Sequence, residues 1–277
     1  MDTMKLAVPL FVALAYGAPG LATPILPPDL ASFAVLGATG VTNVPVSTIG
    51  GNLGSAPNAS AGGGYIFTAG SRQQNTATAQ QAQLDLDAAI LALNGMGPGL
   101  PIGADLTGTI GPGVYAVPAG PTNLSGALVL DGGGSSTAVW VFLFDSTLIT
   151  STTSTVTVQN VGDGSGVGIY WSVGSSATLD GDVFVGNVLA STSITSDGNM
   201  TLGCGRLLAQ TGNVTLITDT ISIGCGTMGD TGFGSNGYDQ GVENGNGNGH
   251  TVPEPGTLAL FGLGLAGLGF ARRRKAA

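Results

Sequence analysis

Histidine and positive charge are scarce in this sequence, and aromatic residues make up only 6% of it. His250 is the single histidine, which argues against a Ser-His-Asp triad and a histidine-based metal site, because both need imidazoles at defined places. No GxxxxGK[ST] loop and no metal-spaced cysteine cluster occurs. We therefore expect no enzyme activity, no cofactor and no metal ion. We interpret Asp180-Gly-Asp182 and Asp163-Gly-Ser-Gly166 as turns, and calcium binding by these segments is the alternative.

Lysine is absent between residues 23 and 251. This segment contains two arginines and 14 acidic residues, which give it a formal net charge of −12. Proteins that bind nucleic acid neutralise phosphates with Lys and Arg, so we expect no nucleic-acid partner. Charged residues make up 8% of the chain and hydrophobic residues 43%. This composition predicts a folded protein whose surface presents hydroxyl and backbone groups rather than ion pairs.

The two cysteines, Cys204 and Cys225, lie in segments that match each other. Thr201-Leu-Gly-Cys-Gly205 aligns with Ser222-Ile-Gly-Cys-Gly226, and the offset from 201 to 222 is typical of one solenoid coil. Stacked coils place equivalent residues about 4.8 Å apart, within the range that a disulfide requires. We therefore predict a Cys204–Cys225 disulfide, because oxidising compartments preserve such bonds; two free buried thiols are the alternative.

Short runs with apolar alternation, separated by Gly and Asp-Gly, fill the segment 122–223. Such strands are typical of a sandwich, a barrel or a solenoid, and the internal offset favours the solenoid. A second, looser match aligns Ser175–Gly181 with Thr192–Gly198 and so pairs Thr178 with Thr195. We predict a mainly β fold, a right-handed parallel β-solenoid over residues 28–226.

The segment 73–94 has a helical period instead. Its apolar stripe consists of Ala79, Ala82, Leu86, Ala89 and Leu93. Thr76 or Asn75 can cap the first turn, and Gly95 suits the end of a helix. The small, Ala-rich stripe indicates close packing against a flat surface, so we expect one long helix alongside the strands.

Two flanking segments carry different signals. Residues 1–22 have a basic residue, an apolar core and small residues before Thr23, a pattern typical of a signal peptide; a buried N-terminal helix is the alternative. Residues 227–251 are rich in Gly and Asn and predict a flexible linker.

The C-terminal residues 252–277 have three parts. Pro253, Glu254 and Pro255 precede the uncharged stretch 256–271, and a basic tail follows. The stretch barely reaches the length of a membrane span, and the tail would stay cytoplasmic.

This layout resembles the Pro-Glu-Pro sorting signals of Gram-negative bacteria, which exosortase-type membrane proteases recognise and remove. The resemblance implies an exported protein at the cell surface, in the extracellular matrix or in the medium. The stretch 256–271 would then lie only transiently in the inner membrane. A plain C-terminal anchor is the alternative.

Strand alternation points several hydroxyl side chains outward. Each of these side chains lies between residues that we expect in the core; the set is Thr155, Thr157, Thr178, Thr195, Thr201, Thr220 and Ser222. Taken singly, each threonine is explained by its preference for strands. Stacked over several coils, they would form a flat, uncharged and regularly spaced array.

The chain also resembles the microbial ice-binding proteins, an irregular right-handed β-solenoid with a long helix alongside. The resemblance covers about residues 30–223 and is carried by stretches such as Phe33–Gly37, Ile49–Gly54, Pro112–Tyr115, Ala138–Phe142 and Ile169–Thr178. It implies an ice-crystal surface as the partner, bound by a flat Thr/Ser-rich face without catalysis. The alternative is a structural or adhesive matrix protein that binds extracellular polysaccharide.

Overall fold

A computed structural model describes residues 25–162, 164 and 166–224. The predicted signal peptide, linker and sorting signal lie outside these residues, as do Asp163 and Cys225. Two helices occur in the described part, α1 (Pro28–Ala31) and α2 (Ala77–Asn94). The strands, in chain order, are β1 (Phe33–Gly37), β2 (Gly40–Val44), β3 (Ser47–Gly50), β4 (Asn52–Ser55), β5 (Tyr65–Ala69), β6 (Arg72–Gln74), β7 (Leu100–Pro101), β8 (Gly108–Ile110), β9 (Gly113–Val117), β10 (Ala127–Asp131), β11 (Val139–Phe144), β12 (Leu148–Ile149), β13 (Thr155–Gln159), β14 (Gly168–Val173), β15 (Ala177–Leu179), β16 (Val183–Ala190), β17 (Ile194–Ser196), β18 (Thr201–Ala209), β19 (Asn213–Ile217) and β20 (Thr220–Ser222).

The strands pair in parallel and form three faces of a solenoid, which confirms the predicted fold class. The first, here called the open face, has the order β8, β10, β13, the first half of β16, the first half of β18, β20, β3 and β5. The second, the five-stranded face, has the order β12, β15, β17, β19 and β2. The third, the helix face, has the order β7, β9, β11, β14, the second halves of β16 and β18, β1, β4 and β6.

The chain does not climb the solenoid from one end to the other. Strand β1 lies between β18 and β4, so the first coils of the sequence stack on the last coil. Helix α2 then runs along the helix face, packing against β6, β4 and β1 and also against β14 and β11. Its 18 residues give a length of about 27 Å. The helix therefore returns the chain to the opposite end of the stack, where β7 begins.

The predicted helix is confirmed together with its buried stripe, except that it begins at Ala77, after the cap at Thr76, while Arg72–Gln74 form β6. Ala79, Ala82, Leu86, Ala89 and Leu93 are all buried, and Ile90 is buried with them. Thr76 is the N-cap, since its Oγ1 accepts a hydrogen bond from the Ala79 N–H at 3.2 Å. Gly95 is the C-cap residue. On the helix face the stripe meets buried side chains that include Leu36, Val141 and Leu208.

The offset between the two Gly-Cys-Gly segments, by contrast, does not describe the pairing at the start of β18, and the expectation was wrong for these residues. Thr201 pairs with Thr220 rather than with Ser222, and Leu202 pairs with Ile221. The buried side chains set the register, because Leu202 and Ile221 both lie on the core side. The looser match was correct, since Thr178 pairs with Thr195.

The interior is filled by aromatic rings from successive coils. Phe142 stacks on Trp171 with ring centroids 4.4 Å apart, and Tyr115 lies on the other side of Phe142 at 5.6 Å. Phe184 meets Trp171 at 4.9 Å. The indole Nε1 of Trp171 donates a hydrogen bond to the Val185 carbonyl at 2.9 Å. Phe184 and the Val185 carbonyl belong to the open-face half of β16, so both contacts of Trp171 join the helix face to the open face.

Candidate functional site

The predicted site residues fall on two different faces. Thr155, Thr157, Thr201, Thr220 and Ser222 project from the open face. Thr178 and Thr195 project from the five-stranded face. Strand alternation therefore identified outward positions correctly, but it could not tell one face from the other.

On the open face the outward residues form a column across neighbouring strands. Registered Cα partners give the order Ala127, Thr155, Val183, Thr201, Thr220, Thr48 and Ile66. Six inter-strand spacings make this column roughly 28 Å long. Thr48 is a member that the sequence did not reveal, because it lies far from its partner Thr220 in the chain.

The hydroxyl groups of this column are available to solvent. Thr201 and Thr220 are exposed, and Thr48 and Thr155 are half-buried. Within the described residues, none of these four hydroxyls hydrogen-bonds to another protein group. Each therefore keeps its donor and its acceptor positions for water.

A second column runs beside the first, two residues further along each strand. Its registered partners are Thr109, Val129 and Thr157, then Val185 with Gly203, and Ser222 with Gly50. Val185 is fully buried. Glycine at position 50 has a steric reason, because a Cβ there would lie 2.7 Å from the Ser222 Oγ. Gly203, Ser222 and Gly50 are small, so little side-chain bulk lies beside Thr201, Thr220 and Thr48.

The five-stranded face has a shorter column of its own. Thr178, Thr195, Thr215 and Thr42 are successive Cα partners on β15, β17, β19 and β2. Thr42 is exposed and the other three are half-buried. The alternation in Gly40-Val-Thr42 and Asn213-Val-Thr215 could have identified the last two members of the column.

Charged groups lie at the margins of these columns or are buried. Asp131 stands at the end of β10, where hydrogen bonds from the Gly133 N–H and from the side chains of Gln159 and Asn160 hold the pKa of its carboxyl below the usual value. Arg72 lies over the Tyr65 ring at 5.2 Å. Arg206 is buried and donates to the Ala31 carbonyl and to Asn187 Oδ1. Neither arginine belongs to a column of the open face or to the column of the five-stranded face.

The described residues contain no cluster of three or more His, Cys, Asp or Glu side chains that could hold a metal ion. The segment Asp180-Gly-Asp182 lies between β15 of the five-stranded face and β16 of the open face, so it forms a coil corner. The Asp180 N–H donates to Thr150 Oγ1 at 2.8 Å. Among the helices of the described part, none is long and apolar enough to cross a membrane.

Cys204 is buried, and its N–H donates a hydrogen bond to the Gly224 carbonyl at 3.3 Å. Its predicted partner, Cys225, follows Gly224 directly and lies outside the described residues, so the disulfide stays a prediction. Peptide mapping of the exported protein without reduction is expected to recover Cys204 and Cys225 in one linked pair of peptides. Alkylation of two thiols in the unreduced protein would contradict it.

Comparison with known families identifies this architecture. A family model described as ice-binding-like matches residues 35–222. The chain belongs to this family. The predicted resemblance is therefore confirmed, and so is the one at the C-terminal end, where the PEP-CTERM protein-sorting motif matches residues 251–275.

Individual relatives agree with this assignment. The chain is 37% identical over 255 residues to an ice-binding protein of Nostoc sp. (strain HG1), covering 88% of this chain and 85% of that one. An ice-binding protein from an Antarctic biological consortium superimposes with a TM-score of 0.64 at 30% identity, over 78% of this chain and 96% of the other. The ice-binding protein of the Antarctic ascomycete Antarctomyces psychrotrophicus gives a TM-score of 0.61 at 30% identity, over 71% and 96%.

Proposed function

We propose that this protein binds ice without catalysis and that the open face is the binding surface. The observation that carries the proposal is the column of Thr155, Thr201, Thr220 and Thr48, whose hydroxyls have no partner among the described protein groups and lie in one strand register. The relatives named above are ice-binding proteins, which supports ice as the ligand.

The spacing of the column suits an ordered layer of water. Outward side chains repeat about every 4.8 Å between strands and about every 6.6 Å along a strand. The γ-methyl of each threonine presents an apolar group beside each hydroxyl, so water can be ordered around the methyl while it hydrogen-bonds to the oxygen. The β-branched threonine has few rotamers, and a surface that is ordered before binding loses little side-chain entropy on contact.

Sugar binding fits the open face less well. Proteins that bind polysaccharide commonly stack aromatic rings on sugars, but neither column of the open face contains an aromatic side chain. Polysaccharide binding within an extracellular matrix therefore remains the alternative if ice activity is absent.

The sorting motif supports a proposal about location. We propose that the chain is exported, that an exosortase-type protease processes it near Pro253, Glu254 and Pro255, and that the solenoid is then displayed at the cell surface or released. In either place the protein would meet growing ice outside the cell.

The test measures thermal hysteresis and inhibition of ice recrystallisation by the purified processed protein, predicted to be residues 23–251. We expect activity in the native protein and at least a several-fold loss in Thr220→Tyr, because the ring would lift the face from a flat ice surface. Leu91→Tyr is the matched control, since Leu91 is 75% exposed on α2, away from both threonine columns.

The stability of Thr220→Tyr should stay close to that of the native protein, because residue 220 is exposed. Full activity in Thr220→Tyr would move the binding surface away from the open face. Absence of activity in the natively folded protein would refute ice binding itself and favour the adhesive role.

A further inference from the structure

We infer that the five-stranded face is a second ice-binding surface, joined to the open face at a fixed corner, so that the protein contacts ice on two surfaces at once. The inference rests on the proposed function but concerns a different set of residues. These are Thr178, Thr195, Thr215 and Thr42, which form the column of the five-stranded face.

The side chains of this column are held in place by a neighbouring amide. Asn213 donates from Nδ2 to Thr215 Oγ1 at 3.0 Å and to Thr42 Oγ1 at 3.3 Å. Because Thr42 and Thr215 lie on neighbouring strands, this amide fixes two hydroxyls of the column relative to each other. The amide restrains these two oxygens beyond the rotamer preference that threonine already has, and this favours an ordered water layer on the five-stranded face.

The next outward positions continue the polar surface without charge. Ala177 and Ile194 are paired residues whose side chains are buried in the core. Ser176 directly precedes Ala177 and Ser193 directly precedes Ile194, so both serines point outward. Each serine therefore stands two residues from a threonine of the column. The Ser193 N–H lies 3.4 Å from Ser176 Oγ, which places the two residues on adjacent strands. The face thus has two hydroxyl-bearing positions per strand at β15 and β17.

A buried carboxylate holds the corner where the two faces meet. Asp219 lies between β19 on the five-stranded face and β20 on the open face. Its Oδ1 accepts from Ser196 Oγ at 2.7 Å and from the Met200 N–H at 3.0 Å, and its Oδ2 accepts from the Ile217 N–H at 2.8 Å.

The same residue also reaches the coil on the other side. The Asp219 N–H donates to Ser47 Oγ at 3.0 Å, and Ser47 Oγ donates to Asn43 Oδ1 at 2.7 Å. Asp219 therefore links the coils of β17 and β18 to those of β2 and β3. These hydrogen bonds join the two faces at their corner and restrict changes in the angle between them.

The side chains of both faces point away from a shared core, so the faces meet at a convex corner. Such a corner fits a plane of ice together with the step that grows along it. The chemical class of the ligand is the same for both faces, namely water molecules in an ice-like layer. The prediction is therefore about geometry: the ice planes that the protein covers should depend on both columns.

The experiment uses fluorescently labelled purified protein adsorbed to a single-crystal ice hemisphere, together with the lowest concentration that stops recrystallisation. The variants are Thr195→Tyr, Thr220→Tyr, the double variant and the control Leu91→Tyr. We expect Thr195→Tyr to raise the lowest inhibiting concentration several-fold and to remove part of the labelled planes. The double variant should label no plane. Thr42→Tyr, at an exposed position of the same column, serves as a second variant, and circular dichroism checks each fold.

The outcomes separate the two proposals. Unchanged planes and concentration in both Thr195→Tyr and Thr42→Tyr, with a loss in Thr220→Tyr, would overturn the second surface and leave the open face as the ice-binding surface. A loss in Thr195→Tyr with none in Thr220→Tyr would overturn the use of both faces together. A native protein that labels no plane would overturn the proposed function, and with it this inference.

Discussion

Replacing Trp171 by alanine is expected to lower the free energy of unfolding by about 3–5 kcal/mol. Its indole is fully buried and stacks against Phe142 and Phe184 at centroid distances of 4.4 and 4.9 Å. The substitution removes these contacts and leaves a cavity in a close-packed interior. It also removes the donor to the Val185 carbonyl. Equilibrium unfolding in guanidinium chloride would measure the effect.

Val44→Ala is the matched control, because Val44 is 51% exposed and its truncation should change the unfolding free energy by less than about 0.5 kcal/mol. A loss in Trp171→Ala no larger than that of this control would contradict a central role for the ring stack.

Because Val185 belongs to the part of β16 that faces Trp171, the variant also tests whether the core keeps the open face flat. We expect weaker inhibition of recrystallisation at temperatures where the variant is still folded.

The helix was predictable because its signals are local. The stripe from Ala79 to Leu93 repeats with the helical period, and the cap at Thr76 lies within one turn of the first buried residue. No contact with distant residues is needed to establish either signal. The strands were likewise predictable as strands, since alternation between core and solvent is a property of neighbouring residues.

The stacking register was not predictable in the same way, because the coils differ in length. Thr178 pairs with Thr195, whereas Thr155 pairs with Val183, much further along the chain. The longer coils accommodate extra turns at the corners. A repeated motif such as Gly-Cys-Gly therefore shows that coils exist, but the buried side chains decide which residues pair.

The sequence predicted that several threonines of the candidate site point outward, but it did not predict the face on which each one lies. Alternation gave the outward threonines, but membership of a face depends on where the coil turns. Thr42 pairs with Thr215, and Thr48 pairs with Thr220. These pairs bring the start and the end of the domain sequence together, because β1 lies beside β18 of the last coil. This pairing of distant segments leaves no repeat in the sequence that would identify it.

Replacing Asp219 by alanine is expected to lower the free energy of unfolding by about 3 kcal/mol, because buried hydrogen-bond donors would be left without their acceptor. The carboxylate is fully buried and accepts hydrogen bonds from Ser196, Met200 and Ile217. Without it, three donors lose their acceptor in the interior. Thermal and denaturant unfolding would measure the loss. An unfolding free energy within experimental error of the native value would show that the corner is held by other contacts.

The pH dependence of stability gives an independent test of the same carboxyl group. Burial raises the pKa of Asp219 above its ordinary value of 3.8, and the hydrogen bonds from Ser196, Ile217 and Met200 offset only part of that rise. The folded state therefore binds this proton more tightly than the unfolded state does. The contribution of this shift to stability is fully present below the unfolded-state pKa and is lost as the pH rises through the folded-state pKa.

Asp219→Asn cannot titrate, so its deficit in unfolding free energy relative to the native protein should shrink as the pH rises from acid to neutral. Denaturant unfolding at a series of pH values would measure this change. Asp131→Asn is the control of opposite sign, since the pKa of Asp131 is lowered and its contribution is lost as the pH falls. A deficit in Asp219→Asn that grows with pH would mean that the hydrogen bonds at the corner outweigh the burial of the charge.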